Sequence, residues 1–276
     1  MQLINRLSMS YPVFLSLILV LAFVLSAQLG ALLLSNFMAE TSASNISIFT
    51  RFAAASLMVV LLGRLGGLRT SGVSNPMRDW HKHWFVVSLT MLVVMALNFS
   101  IVRWSELSIA FAQIPMWALD HLAAGVFEEI MMRALVFFIL ARAWANKSNG
   151  LVKAAIAQAV IFGALHLLNL LNGWSMAVVM QVLYATFLGI SFAGIVAFSR
   201  TVWPAVLLHA MINASGSLNR AFIVDYAEEP VSITLYLVFT SVIFIATTVP
   251  ALLLLKRAAD KETFGVKSSL NSLSYS

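Results

Sequence analysis

The sequence predicts an all-α, polytopic integral membrane protein with eight transmembrane helices. Of its 276 residues, 61% are hydrophobic and 10% are charged, whereas about 25% of the residues in an ordinary soluble domain are charged. A bilayer explains this excess, because positions that face lipid must be apolar as well as those in the core. The sequence contains no cysteine, which excludes disulfides and thiolate metal sites.

Eight apolar runs give the number of helices. An α-helix rises about 1.5 Å per residue, so about 20 residues cross a hydrocarbon layer about 30 Å thick. The runs fall at about 12–36, 47–63, 84–102, 118–143, 153–171, 175–198, 202–222 and 231–255. Residues 105–117 contain Glu106 and Pro115 and predict an interfacial segment instead of a ninth span.

The basic residues predict that both termini are cytoplasmic. If the N-terminus lies inside, most of the 17 Lys and Arg residues fall in cytoplasmic loops, while the opposite loops hold only Arg103 and Arg220. The net charge of +6 therefore reflects topology and not a nucleic-acid partner. Residues 1–276 are expected to form a single membrane domain, with 256–276 as a disordered cytoplasmic tail. The first run is too long for a cleaved signal peptide.

The fourth run contains charges that an ordinary membrane helix would lack, since each costs about 3 kcal/mol or more at the bilayer centre. Glu129 and Arg133 are four residues apart and can pair on one helical face. Glu128 points about 100° away and has no cation at a helical offset, so it is a candidate general base. His121 and Gly125 share its face, where Gly125 would allow close approach of a backbone or a substrate.

Polar residues also interrupt the fifth and seventh runs. His166 lies in the fifth run, and His209 and Asn213 lie one helical turn apart in the seventh. Each alone could simply form an interhelical hydrogen bond. Together with Glu128 they suit the activation of water, because Glu and His exchange protons while His and Asn can donate hydrogen bonds to an oxyanion.

The three groups of residues resemble the EExxxR, FxxxH and HxxxN signature of the CPBP (CAAX protease and bacteriocin-processing) or Abi family. The matching positions are Glu128-Glu129-x-x-x-Arg133, Phe162-x-x-x-His166 and His209-x-x-x-Asn213. The motifs are in the family's order, and the resemblance covers residues 118–222. It implies an intramembrane endopeptidase that cleaves a membrane-associated or lipidated peptide or protein. The compact chain without a soluble extension favours a bacterial or archaeal cell membrane.

The resemblance also implies a role for each motif residue. Glu128 corresponds to the carboxylate that activates the attacking water, with assistance from His166. His209 and Asn213 correspond to the pair that stabilises the tetrahedral oxyanion. The second glutamate and the arginine of the first motif correspond to a supporting ion pair that fixes the orientation of Glu128.

Metal dependence is left open by the sequence. Glu128, His166 and His209 could supply three ligands of a catalytic zinc with an open fourth position. A metal-free mechanism, in which Glu and His activate the water, fits the same residues and is slightly favoured. No cofactor is required in that case.

Two other classes of function fit the polar residues. Glu128, His166 and His209 could form the relay of a small proton-coupled transporter, although the sequence lacks evident inverted halves. The chain could also be a non-hydrolytic immunity or binding protein of the membrane. Other intramembrane protease signatures are missing: HExxH and GxGD do not occur, and the closest approach to a rhomboid GxSG, at 189–192, lacks the closing glycine.

Overall fold

The structure is a computed structural model that describes residues 2–38, 41–227 and 231–260, and these ranges contain helices and connecting segments but no strand. The predicted all-α fold is thus confirmed. The α-helices are α1 (Gln2–Ser10), α2 (Pro12–Phe37), α3 (Ala43–Arg64), α4 (Trp84–Ser88), α5 (Leu92–Ser100), α6 (Ile114–Glu129), α7 (Phe137–Ala143), α8 (Gly150–Leu165), α9 (Met176–Ser199), α10 (Trp203–Phe222), α11 (Ile233–Ile243) and α12 (Val249–Asp260).

Several of these helices join into longer rods through short segments of different helical pitch. A 3₁₀ turn at Leu89–Met91 joins α4 to α5, and π-helices at Ile130–Val136 and Phe244–Thr248 join α6 to α7 and α11 to α12. A 3₁₀ segment at His166–Asn172 extends α8. Each of the eight apolar runs therefore corresponds to one helix or one continuous rod.

Five of the rods are long and apolar enough to cross a membrane. They are Pro12–Phe37, Ala43–Arg64, Gly150–Leu171, Met176–Ser199 and Ile233–Ala258, while Trp84–Ser100 is a shorter apolar helix. The rod from α6 to α7 and helix α10, which carry the first and third motifs, are not among the five. A membrane protein with several spanning helices is thus supported, and the number eight stays a prediction.

The boundaries differ from the predicted ones at two places. Helix α6 begins at Ile114, inside the segment predicted to be interfacial, because Pro115 is well tolerated in the first turn of a helix. Helix α12 continues to Asp260, so the start of the predicted tail is helical. Residues 261–276 lie outside the described residues.

Glycines bring the motif-bearing helices close together. A Cβ atom at Gly125 of α6 would lie only 2.8 Å from the carbonyl oxygen of Val206 in α10. A Cβ atom at Gly163 of α8 would lie 2.7 Å from the carbonyl oxygen of Val182 in α9. A larger side chain at either position would push the backbones apart. The first contact therefore sets the distance between two motif-bearing helices, and the second sets the distance between α8 and its neighbour α9.

Candidate active site

Glu129 and Arg133 form an ion pair at the centre of the bundle. Nη1 of Arg133 lies 3.0 Å from Oε1 of Glu129, and both side chains are 0% exposed. Arg133 belongs to the π-helix, all of whose residues are buried. Each charge thus depends on the other for its main compensation, since neither can reach water.

His209 lies between the two glutamates of the first motif. Its Nδ1 atom is 2.6 Å from Oε1 of Glu129, and its Nε2 atom is 3.5 Å from Oε2 of Glu128. An ionised carboxylate only accepts hydrogen bonds, so Nδ1 carries a hydrogen and Nε2 faces Glu128. The sequence motifs did not predict this contact between Glu129 and His209.

Two phenylalanine rings enclose the ion pair and the histidine. Phe192 of α9 stacks on His209 with a centroid separation of 5.5 Å and an interplanar angle of 8°. The Arg133 guanidinium lies 4.5 Å from the ring centroid of Phe162 and 5.1 Å from that of Phe192. Phe162 of the second motif therefore contributes a cation–π contact to the arginine of the first.

His166 is held by its own helix. Its Nδ1 atom lies 3.0 Å from the carbonyl oxygen of Phe162, and its ring meets that of Phe162 edge-on. A carbonyl oxygen only accepts, so Nδ1 carries the hydrogen and a neutral ring has its lone pair on Nε2. His166 is half-buried and forms no hydrogen bond with Glu128 or His209 within the described part of the chain.

The site has a closed half and an open half. Glu129 and Arg133 are fully buried and the His209 side chain is 8% exposed, whereas that of Glu128 is 29% exposed. Asn213 is half-buried one turn after His209 on α10. Its amide has no hydrogen-bond partner among the described residues, so its N–H groups are available to a ligand.

A second group of polar side chains continues the site along α6 and α10. Nε1 of Trp117 donates to Oγ of Ser217 at 2.9 Å, and Nε2 of His121 lies 2.7 Å from the same oxygen. Ser217 follows Asn213 by four residues, so it extends the polar face of α10. That spacing was the available signal for Ser217, whereas nothing in the sequence distinguishes Phe192 from the other phenylalanines of the apolar runs.

Arg51, which lies within the second predicted span, is also paired. Nη1 of Arg51 lies 2.8 Å from Oδ1 of Asp120, and the two side chains are 31% and 34% exposed. This ion pair joins α3 to α6 about two helical turns before Glu128. It helps to hold α6 in place, and neither of its residues belongs to the three motifs.

The three candidate zinc ligands do not form a complete site in this arrangement. The separation of 3.5 Å between Nε2 of His209 and Oε2 of Glu128 is compatible with two ligands on one zinc ion, each at about 2.0–2.2 Å. However, no group of three His, Asp, Glu or Cys side chains suited to a metal occurs within the described ranges. His166 would have to move toward the other two to complete such a set.

Comparison with known proteins agrees with this geometry. Residues 110–215 match the family model described as type II CAAX prenyl endopeptidase Rce1-like. The matched segment contains the three motifs and the helices α6 to α9, together with much of α10. The resemblance to the CAAX or CPBP class of intramembrane proteases is therefore confirmed. No curated protein and no solved structure matches the chain significantly.

Proposed function

We propose that this protein is an intramembrane endopeptidase that hydrolyses a peptide bond of a membrane-associated or lipidated peptide or protein. The observation that carries the proposal is the position of His209 between a buried and an accessible glutamate. In such an arrangement, the partly exposed carboxylate of Glu128 can accept a proton from the water that attacks the substrate. The buried carboxylate of Glu129 fixes the orientation of the histidine ring.

Glu128 is the general base in this mechanism. Its partly exposed carboxylate accepts a proton from water, and the water oxygen forms a bond with the carbonyl carbon of the scissile peptide. The lone pair on Nε2 of His166 can accept a hydrogen bond from the same water if the substrate draws the two groups together. A positioned general base of this kind contributes about 10²–10⁴-fold to the rate.

His209 and Asn213 stabilise the charge that develops on the carbonyl oxygen. The Asn213 amide donates one hydrogen bond, and Nε2 of a protonated His209 donates a second. The Glu129 carboxylate accepts from Nδ1 at 2.6 Å and favours the imidazolium, as the buried carboxylate of a serine-protease triad does for its histidine. The proton held by Glu128 then passes to the leaving nitrogen as the carbon–nitrogen bond breaks.

The closed half of the site explains the rest of the first motif. Arg133 compensates the charge of Glu129, and the rings of Phe162 and Phe192 exclude water from both. If the inner carboxylate were solvated, its interaction with His209 would weaken because water screens charges. We therefore assign Glu129 and Arg133 as positioning residues that act through His209.

The role of Glu128 can be tested with Glu128→Gln. Glutamine keeps the size of the side chain but cannot accept the proton, so we expect cleavage of a quenched-fluorescence lipidated peptide to fall by about 10²-fold or more. The purified protein should keep its melting temperature. The matched control is Glu106→Gln, which removes an exposed carboxylate outside the site. Full activity in the Glu128→Gln protein would refute the assignment.

A further inference from the structure

A basic pocket lies at the end of the bundle where α9 meets α10, outside the candidate active site. It has a volume of about 590 Å³, and its lining includes Arg69, Arg78, Asp79, Trp80 and Arg200. Three guanidinium groups therefore share the pocket with one carboxylate. The proposed peptidase mechanism uses none of these residues.

The pocket is held open by contacts between two chain segments. The backbone N–H of Val202 donates to the carbonyl oxygen of Gly72 at 3.3 Å, and the Asn75 amide donates to that of Arg200 at 2.6 Å. Gly72 has a φ of +82° and lies so close to Thr201 that a Cβ atom would be 2.7 Å from its Cα. The loop between α3 and α4 is thus fixed against the α9–α10 turn.

Positive charge in the pocket exceeds what its own carboxylate can neutralise. Nη2 of Arg69 lies 2.8 Å from Asp79, and Nε of Arg78 lies 3.8 Å from the same side chain. Arg200 forms no ion pair among the described residues. The side chains of Arg69 and Arg78 are 76% and 84% exposed, so they can turn toward a ligand. Guanidinium groups bind phosphate well because their paired N–H donors match its oxygens.

Tryptophans beside this pocket favour a position at the depth of lipid head groups. Trp80 lines it and packs edge-on against Trp84, at a centroid separation of 5.3 Å. Trp203 is 40% exposed beside it and donates from Nε1 to the carbonyl oxygen of Val73. Tryptophan is enriched at the membrane–water interface, where its apolar ring and its N–H group both find suitable surroundings.

We propose that the basic pocket binds the phosphate of an anionic membrane phospholipid. The excess positive charge of the guanidinium groups attracts the phosphate, and the tryptophans favour a position level with the lipid head groups. The loop between α3 and α4, fixed against the α9–α10 turn, keeps the cavity formed before a lipid binds. Basic pockets between membrane helices suit acidic lipid head groups in this way. Free phosphate offers the same chemistry, so the test must separate the two sources.

Binding can be measured by native mass spectrometry of delipidated protein in detergent. Phosphatidylglycerol is titrated against phosphatidylcholine with the same acyl chains. We expect the wild type to prefer phosphatidylglycerol by about tenfold or more, since the excess positive charge of the pocket attracts an anionic head group. The variant R69Q/R78Q/R200N should lose most of this preference. Asparagine is chosen for Arg200 because φ is +63° there, a conformation that asparagine tolerates.

The matched control is R64Q/K147Q/K153Q, which removes three exposed positive charges outside the pocket lining. Its lipid preference should stay within about twofold of the wild type, because salt screens exposed charges that do not line the pocket and do not contact a bound head group. An unchanged preference in the pocket variant, or an equal loss in the control, would overturn the proposal. If the triple pocket variant does not fold, R69Q/R78Q serves with the same expected direction.

Inorganic phosphate separates the two possible sources of the ligand. If the pocket holds a lipid, phosphate alone should bind at least about tenfold more weakly than phosphatidylglycerol, because the glycerol and acyl chains add apolar contacts. Phosphate binding as tight as that of the lipid would assign the pocket to a free anion and overturn the lipid assignment. Both measurements can use the Glu128→Gln protein, so their outcome does not depend on peptidase activity.

Discussion

At the scale of single residues, one carboxylate oxygen connects the buried arginine to the histidine of the site. Oε1 of Glu129 is within 3.0 Å of Arg133 and 2.6 Å of His209. The nitrogens of Arg133 have no hydrogen bond in the described structure, so the guanidinium relies on this ion pair and on two aromatic faces. Loss of the Glu129 charge would therefore affect the stability of the fold and the protonation of His209 together.

Glu129→Gln tests this double role. The amide oxygen can still accept from Nδ1 of His209, but Arg133 loses its compensating charge in a buried site. We expect the free energy of unfolding to fall by about 3–5 kcal/mol and the cleavage rate to fall as well, because the imidazolium is less stabilised. Melting temperature and peptidase rate are both measured on purified protein.

The exposed pair Arg103–Glu106 provides the comparison for Glu129→Gln. Its atoms are 3.4 Å apart with side chains 34% and 48% exposed, so Glu106→Gln should change stability by less than about 1 kcal/mol. If Glu129→Gln behaves like this surface variant, the buried carboxylate has no structural role. The interpretation of Glu129 as a positioning residue would then be wrong.

At the scale of elements, the approach of α6 to α10 decides whether the motifs meet. Gly125 is the contact point, since its Cα faces the backbone of Val206 and Ala210. Glu128 and Glu129 follow it by three and four residues and then reach His209. The catalytic contact is therefore set by backbone packing one turn away from the charged side chains.

Gly125→Leu should separate the two helices. The added side chain overlaps the backbone of α10, so we expect a loss of about 1–3 kcal/mol in stability and a larger relative loss of peptidase activity, because His209 moves away from Glu128. Gly30→Ala is the control, since a Cβ there would make an ordinary contact of 3.5 Å with Thr50. Equal effects of the two substitutions on activity would contradict the assigned role of Gly125.

Local sequence patterns predicted the helices well, because apolar runs of spanning length and basic loop residues depend on neighbouring residues only. The pairing of Glu129 with Arg133 was predictable for the same reason. The contact between Glu129 and His209 was not predictable, because the two residues are 80 positions apart. They meet through the packing of α6 against α10, which the periodicity of the sequence does not indicate. Phe192 was equally hidden, being one of 19 phenylalanines in the sequence.

At the scale of the whole molecule, membrane topology remains a prediction of the charge distribution. Among the described residues, five rods have the length and composition of spanning helices. The shorter helix Trp84–Ser100, the rod from α6 to α7 and helix α10 complete the proposed set of eight. If all eight cross, the loop after α7 and both termini lie in the cytoplasm. The basic pocket would then face the cytoplasmic leaflet.

Single-cysteine labelling can test this topology, because the natural sequence has no cysteine. Lys147→Cys should resist an impermeant maleimide in intact cells and react after permeabilisation. Ser105→Cys, in the opposite predicted loop, should react from outside. Both positions are exposed in the structure, so accessibility of the side chain does not bias the comparison. Labelling of position 147 from outside would reverse the orientation.

The π-helix after Glu129 affects where this rod can lose a residue. A π-turn closes on the fifth following residue instead of the fourth, as if one residue had been inserted into an α-helix. The extra residue is absorbed inside the π-helix, so removal of one residue between Ile130 and Val136 would restore ordinary pitch without rotating α7. Removal of a residue within α7, where Phe137 to Ala141 are all buried, would instead rotate the rest of that helix by about 100°. The chain length is therefore constrained more tightly in α7 than in the π-helix.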